Sequence, residues 1–312
     1  MAELFATLQS LFTFAFVVSS MLSMGLALTV TEVLAPLRNG RLVVLGLLAN
    51  FVAVPLVGLG LVRLIPMDED LQIGLVLLAT AAGAPFLPKL AQVAHASVSF
   101  AVGLMALLIV VTVIYLPIVL PVVLPGVEVP GGRIAVALFG QMLLPLGIGL
   151  AVRARWEHAA DDLRQPVAQV SNLSLALLLV LMLGLNIEEV IGLFGSGALI
   201  ATVLLVAIAI GVGYLLGGPA TSSRRVLALG TGQRNLAAAF LIGSGSFGDR
   251  PDVMAFLAGA GLIGMVLVKP LAAEFGRRAS TPGPDSARSR EAAPPAVADA
   301  GAAGTDLRAN DG

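Results

Sequence analysis

The hydrophobic positions of this chain fall in long apolar runs separated by short polar stretches. A helix that crosses the hydrocarbon core of a bilayer needs about 20 apolar residues, and nine runs reach or approach that length. We letter them A to I. They cover residues 5–29, 42–64, 71–94, 98–124, 134–152, 167–186, 191–216, 226–247 and 253–273. The pattern predicts an all-α polytopic membrane protein with nine transmembrane helices, in contact with a lipid bilayer.

Composition agrees with this class. Of the residues, 58% are hydrophobic and 12% are charged, whereas soluble domains carry about 25% charged residues. Residues 279–312 differ, because they are rich in Ala, Pro, Gly, Ser and charge; we expect a disordered cytoplasmic tail after a transmembrane domain of residues 1–278. The net charge of −1 gives no indication of a nucleic-acid partner. Without cysteine, thiolate metal sites and cysteine nucleophiles are excluded, and we expect no enzyme.

Arginines concentrate in alternate loops. Loops A–B, E–F and G–H and the end of segment I hold nine arginines, whereas the other loops hold three, diluted by eight acidic residues. Cytoplasmic loops of membrane proteins carry an excess of Lys and Arg. We therefore expect a multi-pass protein of the inner (plasma) membrane with its N-terminus outside and its C-terminus in the cytoplasm.

Segments C and H are predicted to be interrupted helices. Segment C contains Gly83, Pro85 and Pro88, and segment H contains Gly230-Thr-Gly-Gln-Arg-Asn235 at mid-span. Proline removes a backbone donor and breaks a helix. Interrupted segments in corresponding positions of two oppositely oriented halves are typical of transporters. The pattern predicts an inverted repeat that pairs A with F, B with G, C with H and D with I, and leaves E without a partner.

Arg234 lies near the centre of segment H, where a charge is costly and usually faces a protein interior or a watery cavity. Two interpretations are open. The guanidinium either contacts an anion in a cavity, or it caps the C-terminal carbonyls of a broken helix. Replacement by glutamine separates them, because the first interpretation predicts lost binding and the second predicts lost stability.

Other polar residues flank the two breaks. Gln233 and Asn235 carry amides that either satisfy freed backbone groups or coordinate a ligand. Thr231 and Thr80 supply hydroxyls at matching depths, for the same two purposes. Lys89 is either a second cation in the cavity or a lysine whose ammonium group reaches cytoplasmic water.

Two absences narrow the mechanism. Segments A to I have no Asp or Glu at mid-span, which disfavours a carrier coupled to protons through a membrane carboxylate. The chain also has no phosphate-binding loop of the Gly-x-x-x-x-Gly-Lys type, which disfavours transport driven by ATP.

The run Gly230-Thr-Gly-Gln-Arg-Asn-Leu-Ala-Ala-Ala239 resembles the signature of the penultimate helix in the bile acid:sodium symporter family. Asn50 with Pro55, and Gln141 with Pro145, are similar to other helices of that family. The resemblance implies a panel domain of segments A, E and F and a core domain of the other six, with C and H crossing in the core. It implies transport of an organic anion by movement of the core against the panel. It also implies sodium at the crossing, with Gln233, Asn235 and Thr80 as possible contacts.

The chain departs from the sodium pattern of that family. Gly230 stands where the family has a glutamate, Arg234 stands where it has a glutamine, and Pro85-Phe86 replaces a Ser-Asn pair. We therefore predict a secondary transporter of a small organic anion, with Arg234 as its main cationic contact and little dependence on sodium. The alternatives are a conventional sodium-coupled symporter and, from another class, a membrane receptor or scaffold that transports nothing.

Overall fold

Seven long helices and two interrupted ones make up the part of the chain that the computed structural model describes, namely residues 2–34, 39–124, 130–185, 191–193 and 195–280. The long helices are α1 (Ala2–Ala27), α3 (Gly40–Leu64), α6 (Val98–Val123), α7 (Gly131–Arg155), α8 (Glu157–Leu185), α9 (Ala198–Leu216) and α12 (Pro251–Ser280). The interrupted ones are α4 (Glu69–Thr80) followed by α5 (Leu87–Val93), and α10 (Thr221–Gly232) followed by α11 (Leu236–Ser246). A short helix, α2 (Val30–Leu34), follows α1. Each long helix is apolar enough to cross a bilayer, so the protein is a multi-pass membrane protein.

The predicted helix bounds were wrong at three places. Segment F was expected to begin at Val167 after a loop, but α8 begins at Glu157, so Arg164 lies in a helix. Helix α12 continues to Ser280, so residues 279 and 280 of the predicted tail are helical; the rest of the tail lies outside the described residues. These two errors have one cause, because an apolar run marks only the part of a helix inside the hydrocarbon, and polar turns continue the helix into water. Segment G was expected to begin at Ile191, but α9 begins at Ala198, after a bend in which Gly197 has φ +76°.

Two of the long helices contain a π-helical turn shortly before a proline. Helix α3 is π-helical over Ala49–Ala53 and α7 over Phe139–Leu143. Pro55 has no N–H, so the carbonyl of Phe51 lacks its usual helical donor. The Tyr115 hydroxyl of α6 donates to that carbonyl at 2.9 Å. The same turn of α3 carries Asn50, which is fully buried, and so delivers an amide to the interior of the bundle.

Helix α1 packs closely against α7 and α8. Gly25 of α1 and Gly149 of α7 meet backbone to backbone: a Cβ on Gly25 would lie 2.3 Å from the Leu146 carbonyl oxygen, and one on Gly149 would lie 2.6 Å from that of Leu22. Only glycine allows this approach, as in other closely packed membrane helices. The interrupted helices contact α3, α6, α9 and α12, and α11 also contacts α1 and α7.

Helix α4 is held at the end far from its break. Arg250, just before α12, donates to Glu69 Oε1 at 3.0 Å and to Asp70 Oδ1 at 2.8 Å. The hydrogen bonds that Arg250 donates to Glu69 and Asp70 raise its pKa above its usual value. The first turn of α4 is thereby fastened to the start of α12.

Candidate functional site

The breaks in the two interrupted helices lie against each other. Residues 81–86 separate α4 from α5, and residues 233–235 separate α10 from α11. The Asn235 N–H donates to the Ala81 carbonyl at 3.0 Å, so the two breaks are in direct contact. The predicted interruptions of segments C and H are confirmed, and their meeting point is called the crossing below.

Arg234 lies at the crossing with a residue exposure of 6%. Its Nε donates to the Leu78 carbonyl at 3.0 Å, and its Nη2 donates to the Ala79 carbonyl at 2.7 Å. Its Nη1 donates to the Thr231 carbonyl at 3.2 Å and to Asn50 Oδ1 at 3.1 Å. A guanidinium has five N–H donors, and the protein itself engages four of them.

The three carbonyls belong to the last turns of α4 and α10, where helix carbonyls lack intrahelical donors. Each helix C-terminus is equivalent to about half a negative charge, so one guanidinium balances both. This geometry corresponds to the capping interpretation of Arg234. Direct contact with an anion stays a prediction, with one N–H left for it. The guanidinium also borders a cavity of about 50 Å³ that Gln233 and Lys269 line.

Asn235, which is fully buried, holds the other part of the crossing. Its Oδ1 accepts from the Ala238 N–H at 3.1 Å and so caps α11, while its Nδ2 donates to the Ala82 carbonyl at 3.1 Å. The Thr112 hydroxyl of α6 accepts from the Ala82 N–H at 3.3 Å and donates to the Ala82 carbonyl at 3.0 Å. Side chains from two other segments thus satisfy the open backbone of the first break.

The remaining residues selected from the sequence occupy different settings. The Thr80 hydroxyl donates to the Val76 carbonyl of its own helix at 2.7 Å. The Thr231 hydroxyl accepts from Asn50 Nδ2 at 3.2 Å. Gln233 differs, because its Oε1 is buried and has no hydrogen-bond partner among the described residues.

Four oxygen atoms of the crossing that could bind a sodium ion are already engaged by Arg234, whereas Gln233 Oε1 is not. Hard cations bind to carbonyl, amide and carboxylate oxygens, and here the Arg234 guanidinium already occupies three carbonyl oxygens and the Asn50 amide oxygen. A fixed positive charge also repels a second cation strongly when both lie in a medium of low dielectric constant. The Arg234 guanidinium therefore lies against the two helix C-termini and balances their partial negative charges.

A cavity of about 590 Å³ lies beside the crossing, between α1 and α8 on one side and α5 and α6 on the other. This volume falls in the range of about 300–1,000 Å³ found for small-molecule sites. The wall formed by α1 and α8 carries the polar residues Ser20, Ser23, Ser171 and Asn172. The opposite wall is formed by Phe86, Lys89, Gln92, Val98, Val102 and Met105. Arg164 and Glu32 line it as well, so charged, polar and apolar groups converge on one space.

Sequence reasoning selected Lys89 from this cavity but missed Phe86, Arg164 and the polar wall. One signal was present, since Ser20 and Ser23 are three residues apart and share a face of an apolar helix. A second signal was Lys269, a single cation inside segment I, which lines the neighbouring 50 Å³ cavity. The faces that meet at the cavity depend on packing between distant helices.

A bundle of apolar helices with two interrupted helices that meet beside a polar cavity is the architecture of a membrane transporter. The Sodium Bile acid symporter family matches this chain over residues 14–193. The match spans more than half of the chain, so the protein belongs to this family, and the resemblance recognised in the sequence is confirmed. The matched range ends before the Gln-Arg-Asn block of the second break. A comparison with curated proteins gives no match.

Proposed function

We propose that this protein is a secondary active transporter that carries a small organic anion across the inner membrane and requires no sodium ion at the crossing. The observation that carries the proposal is the 590 Å³ cavity beside the crossed helix breaks. Its volume suits a small molecule, and its apolar wall suits a carbon skeleton. Its position at a discontinuity of two helices is where transporters bind substrates.

The charges around the cavity favour an anion. Lys89 and Arg164 line the cavity itself, and Lys269 and Arg234 line the neighbouring 50 Å³ cavity. In the described lining of both, these four cations face one carboxylate, that of Glu32. An excess of one sign of charge in a concave site raises the local concentration of oppositely charged ligands.

The proposed mechanism is alternating access. Counting α4 with α5 and α10 with α11 as one span each gives nine spans with the seven long helices, arranged as an inverted repeat. Helices α1, α7 and α8 would form the panel and the other spans the core. The glycine contact between α1 and α7 and the hydrogen-bonded crossing support two rigid units. The position of the cavity between these units supports movement of one against the other.

The proposed orientation has the N-terminus outside and the C-terminus in the cytoplasm, with a transmembrane domain of residues 1–278 and a cytoplasmic tail of residues 279–312. Arg164 and Glu32 line the cavity near the arginine-rich end of the bundle, while α1 also packs against α11. This arrangement supports a state that is open to the cytoplasm and closed on the far side.

The family also includes the conventional alternative, a symporter coupled to sodium. A thermal-shift screen of the purified protein against organic anions, in sodium and in choline buffers, followed by uptake into proteoliposomes, tests both. We expect an anion to raise the melting temperature, and we expect its affinity to change by less than about tenfold, or about 1.4 kcal/mol, when choline replaces sodium. A saturable sodium requirement would establish the conventional symporter. Binding without uptake in either buffer would favour the receptor or scaffold.

A further inference from the structure

We propose that Lys89 and Lys269, both held close to the Phe86 ring, form a two-lysine site and that the transported anion carries two negative charges, as a dicarboxylate does. The proposal rests on the proposed function and specifies its substrate class. Lys89 Nζ lies 5.8 Å from the centre of the Phe86 ring, and Lys269 Nζ lies 5.6 Å from it. The two lysines come from α5 and α12 and meet only through tertiary structure.

Neither ammonium group is neutralised in the part of the chain that the structure describes. Lys89 and Lys269 form no ion pair and no hydrogen bond there. The arginines at the bundle ends differ: Arg153 pairs with Glu157 and Asp161, for example. Both lysines are exposed, so solvent weakens the repulsion between their like charges, and the ring face offsets part of the remainder. An anion with two charged groups that contacts both ammonium groups would neutralise them.

The position of Phe86 links the two cavities. Phe86 lines both the 590 Å³ cavity, which Lys89 also lines, and the 50 Å³ cavity, which Lys269 lines. A ligand in the larger cavity can therefore place one charge on Lys89 while a second charge reaches past the ring towards Lys269.

The balance of charge sets the number of negative groups on the ligand. The partial negative charges of two helix C-termini balance the positive charge of Arg234. In the lining of the larger cavity, the negative charge of Glu32 offsets the positive charge of Arg164. Lys89 and Lys269 are then the cations left without a counter-charge. A monoanion would neutralise one of them, whereas a dianion neutralises both.

The test uses the purified full-length chain and pairs of probes that share a skeleton, namely glutarate with valerate and phthalate with benzoate, with affinities measured by calorimetry or thermal shift. We expect the dicarboxylate of a pair to bind about tenfold tighter or more, because a hydrogen bond to a charged group contributes about this factor. Lys269→Gln and Lys89→Gln should each remove this preference. Lys269→Arg should retain most of it, since it keeps the charge.

Arg133→Gln is the matched control, because Arg133 is an exposed cation at the start of α7, outside both cavities, and it should change no affinity. The ligand-free melting temperature of the two Lys→Gln variants should stay equal or rise, since repulsion is removed. Equal or stronger binding of monocarboxylates, or an unchanged preference in Lys269→Gln, would overturn the proposal and leave the proposed function intact. If no organic anion binds, the proposed function itself fails.

Discussion

The two breaks at the crossing contribute different chemistry. The first break, residues 81–86, contributes backbone groups: the carbonyls of Ala81 and Ala82 accept hydrogen bonds from elsewhere in the protein. The second break, residues 233–235, contributes side chains, because Arg234 and Asn235 supply most of the donors. Two interrupted helices that would be related by an inverted repeat therefore act as acceptor and donor.

The charged side chain of the crossing, Arg234, therefore belongs to the second break only, between α10 and α11. The first break is longer, with Gly83 and Pro85 but without a polar side chain in it. It depends on Thr112 and Asn235 for its hydrogen bonds. The second break is short and supplies its own cap through Asn235. Changes in the second break should therefore affect both breaks, whereas changes in the first should act locally.

The largest effect is expected for Arg234→Gln. The substitution removes a group that makes four hydrogen bonds, three of them to helix-end carbonyls. A buried acceptor that loses its donor costs about 1–3 kcal/mol, and several acceptors lose theirs here, so we expect the free energy of unfolding in detergent to fall by about 3 kcal/mol or more. The free energy of unfolding of Arg234→Lys should fall by less, because lysine keeps the charge but lacks the planar guanidinium with its paired N–H donors.

The same variants decide between the two interpretations of Arg234. Melting temperature and anion affinity should be measured on one preparation. A stable Arg234→Gln protein that no longer binds any anion would show that direct contact, rather than capping, is the role of this side chain.

The next effect is expected for Gly83→Ala in the first break. Gly83 has φ +82°, and a Cβ there would lie 2.6 Å from the Ile109 backbone nitrogen. Backbone strain of this kind costs about 1–3 kcal/mol and the clash adds to it, so we expect a loss of about 2–3 kcal/mol in chemical denaturation. Gly147→Ala is the control, since a Cβ there meets nothing within 4 Å; a similar loss in both variants would contradict the explanation.

Asn235→Ala should lower stability by about 2 kcal/mol, because it removes the cap of α11 and the hydrogen bond to the Ala82 carbonyl. Asn235→Ser should recover part of this, since serine is also a good cap but is too short to reach Ala82. The denaturation midpoints of the two variants show how much of the lost stability comes from the cap of α11 and how much from the hydrogen bond to Ala82. Equal losses would mean that the cap contributes nothing.

The crossing could be predicted from the sequence, but the cavity could not. Gly83, Pro85 and Arg234 stand out against an apolar background, and their local chemistry is enough to predict a break or a buried charge. Two of the carbonyls that accept from Arg234 belong to α4, 156 and 155 residues away, and no local pattern indicates them. The cavity depends on which faces of α1, α5, α6 and α8 meet, which is decided by packing such as the contact between Gly25 and Gly149.

The smallest effect is expected for Thr80→Val, just before the first break. The Thr80 hydroxyl bonds to the Val76 carbonyl of its own helix at 2.7 Å, so valine removes no contact between the two breaks. A threonine hydroxyl that bonds back to the i−4 carbonyl of its own helix adds little to stability, and we expect a stability change within about 0.5 kcal/mol. Thr231→Val should cost more, about 1 kcal/mol, because the Thr231 hydroxyl accepts from Asn50.

Anion affinity separates the two roles that the sequence left open for Thr80. If the Thr80 hydroxyl only bonds to its own helix, the Thr80→Val variant should bind the anion with unchanged affinity in both sodium and choline buffers. A loss of more than about tenfold with unchanged stability would identify Thr80 as a ligand. The first break would then contribute a side chain to the site, as the second does, and the division into acceptor and donor breaks would be wrong. A loss confined to the sodium buffer would assign that ligand to a sodium ion, because choline cannot replace sodium among oxygen ligands.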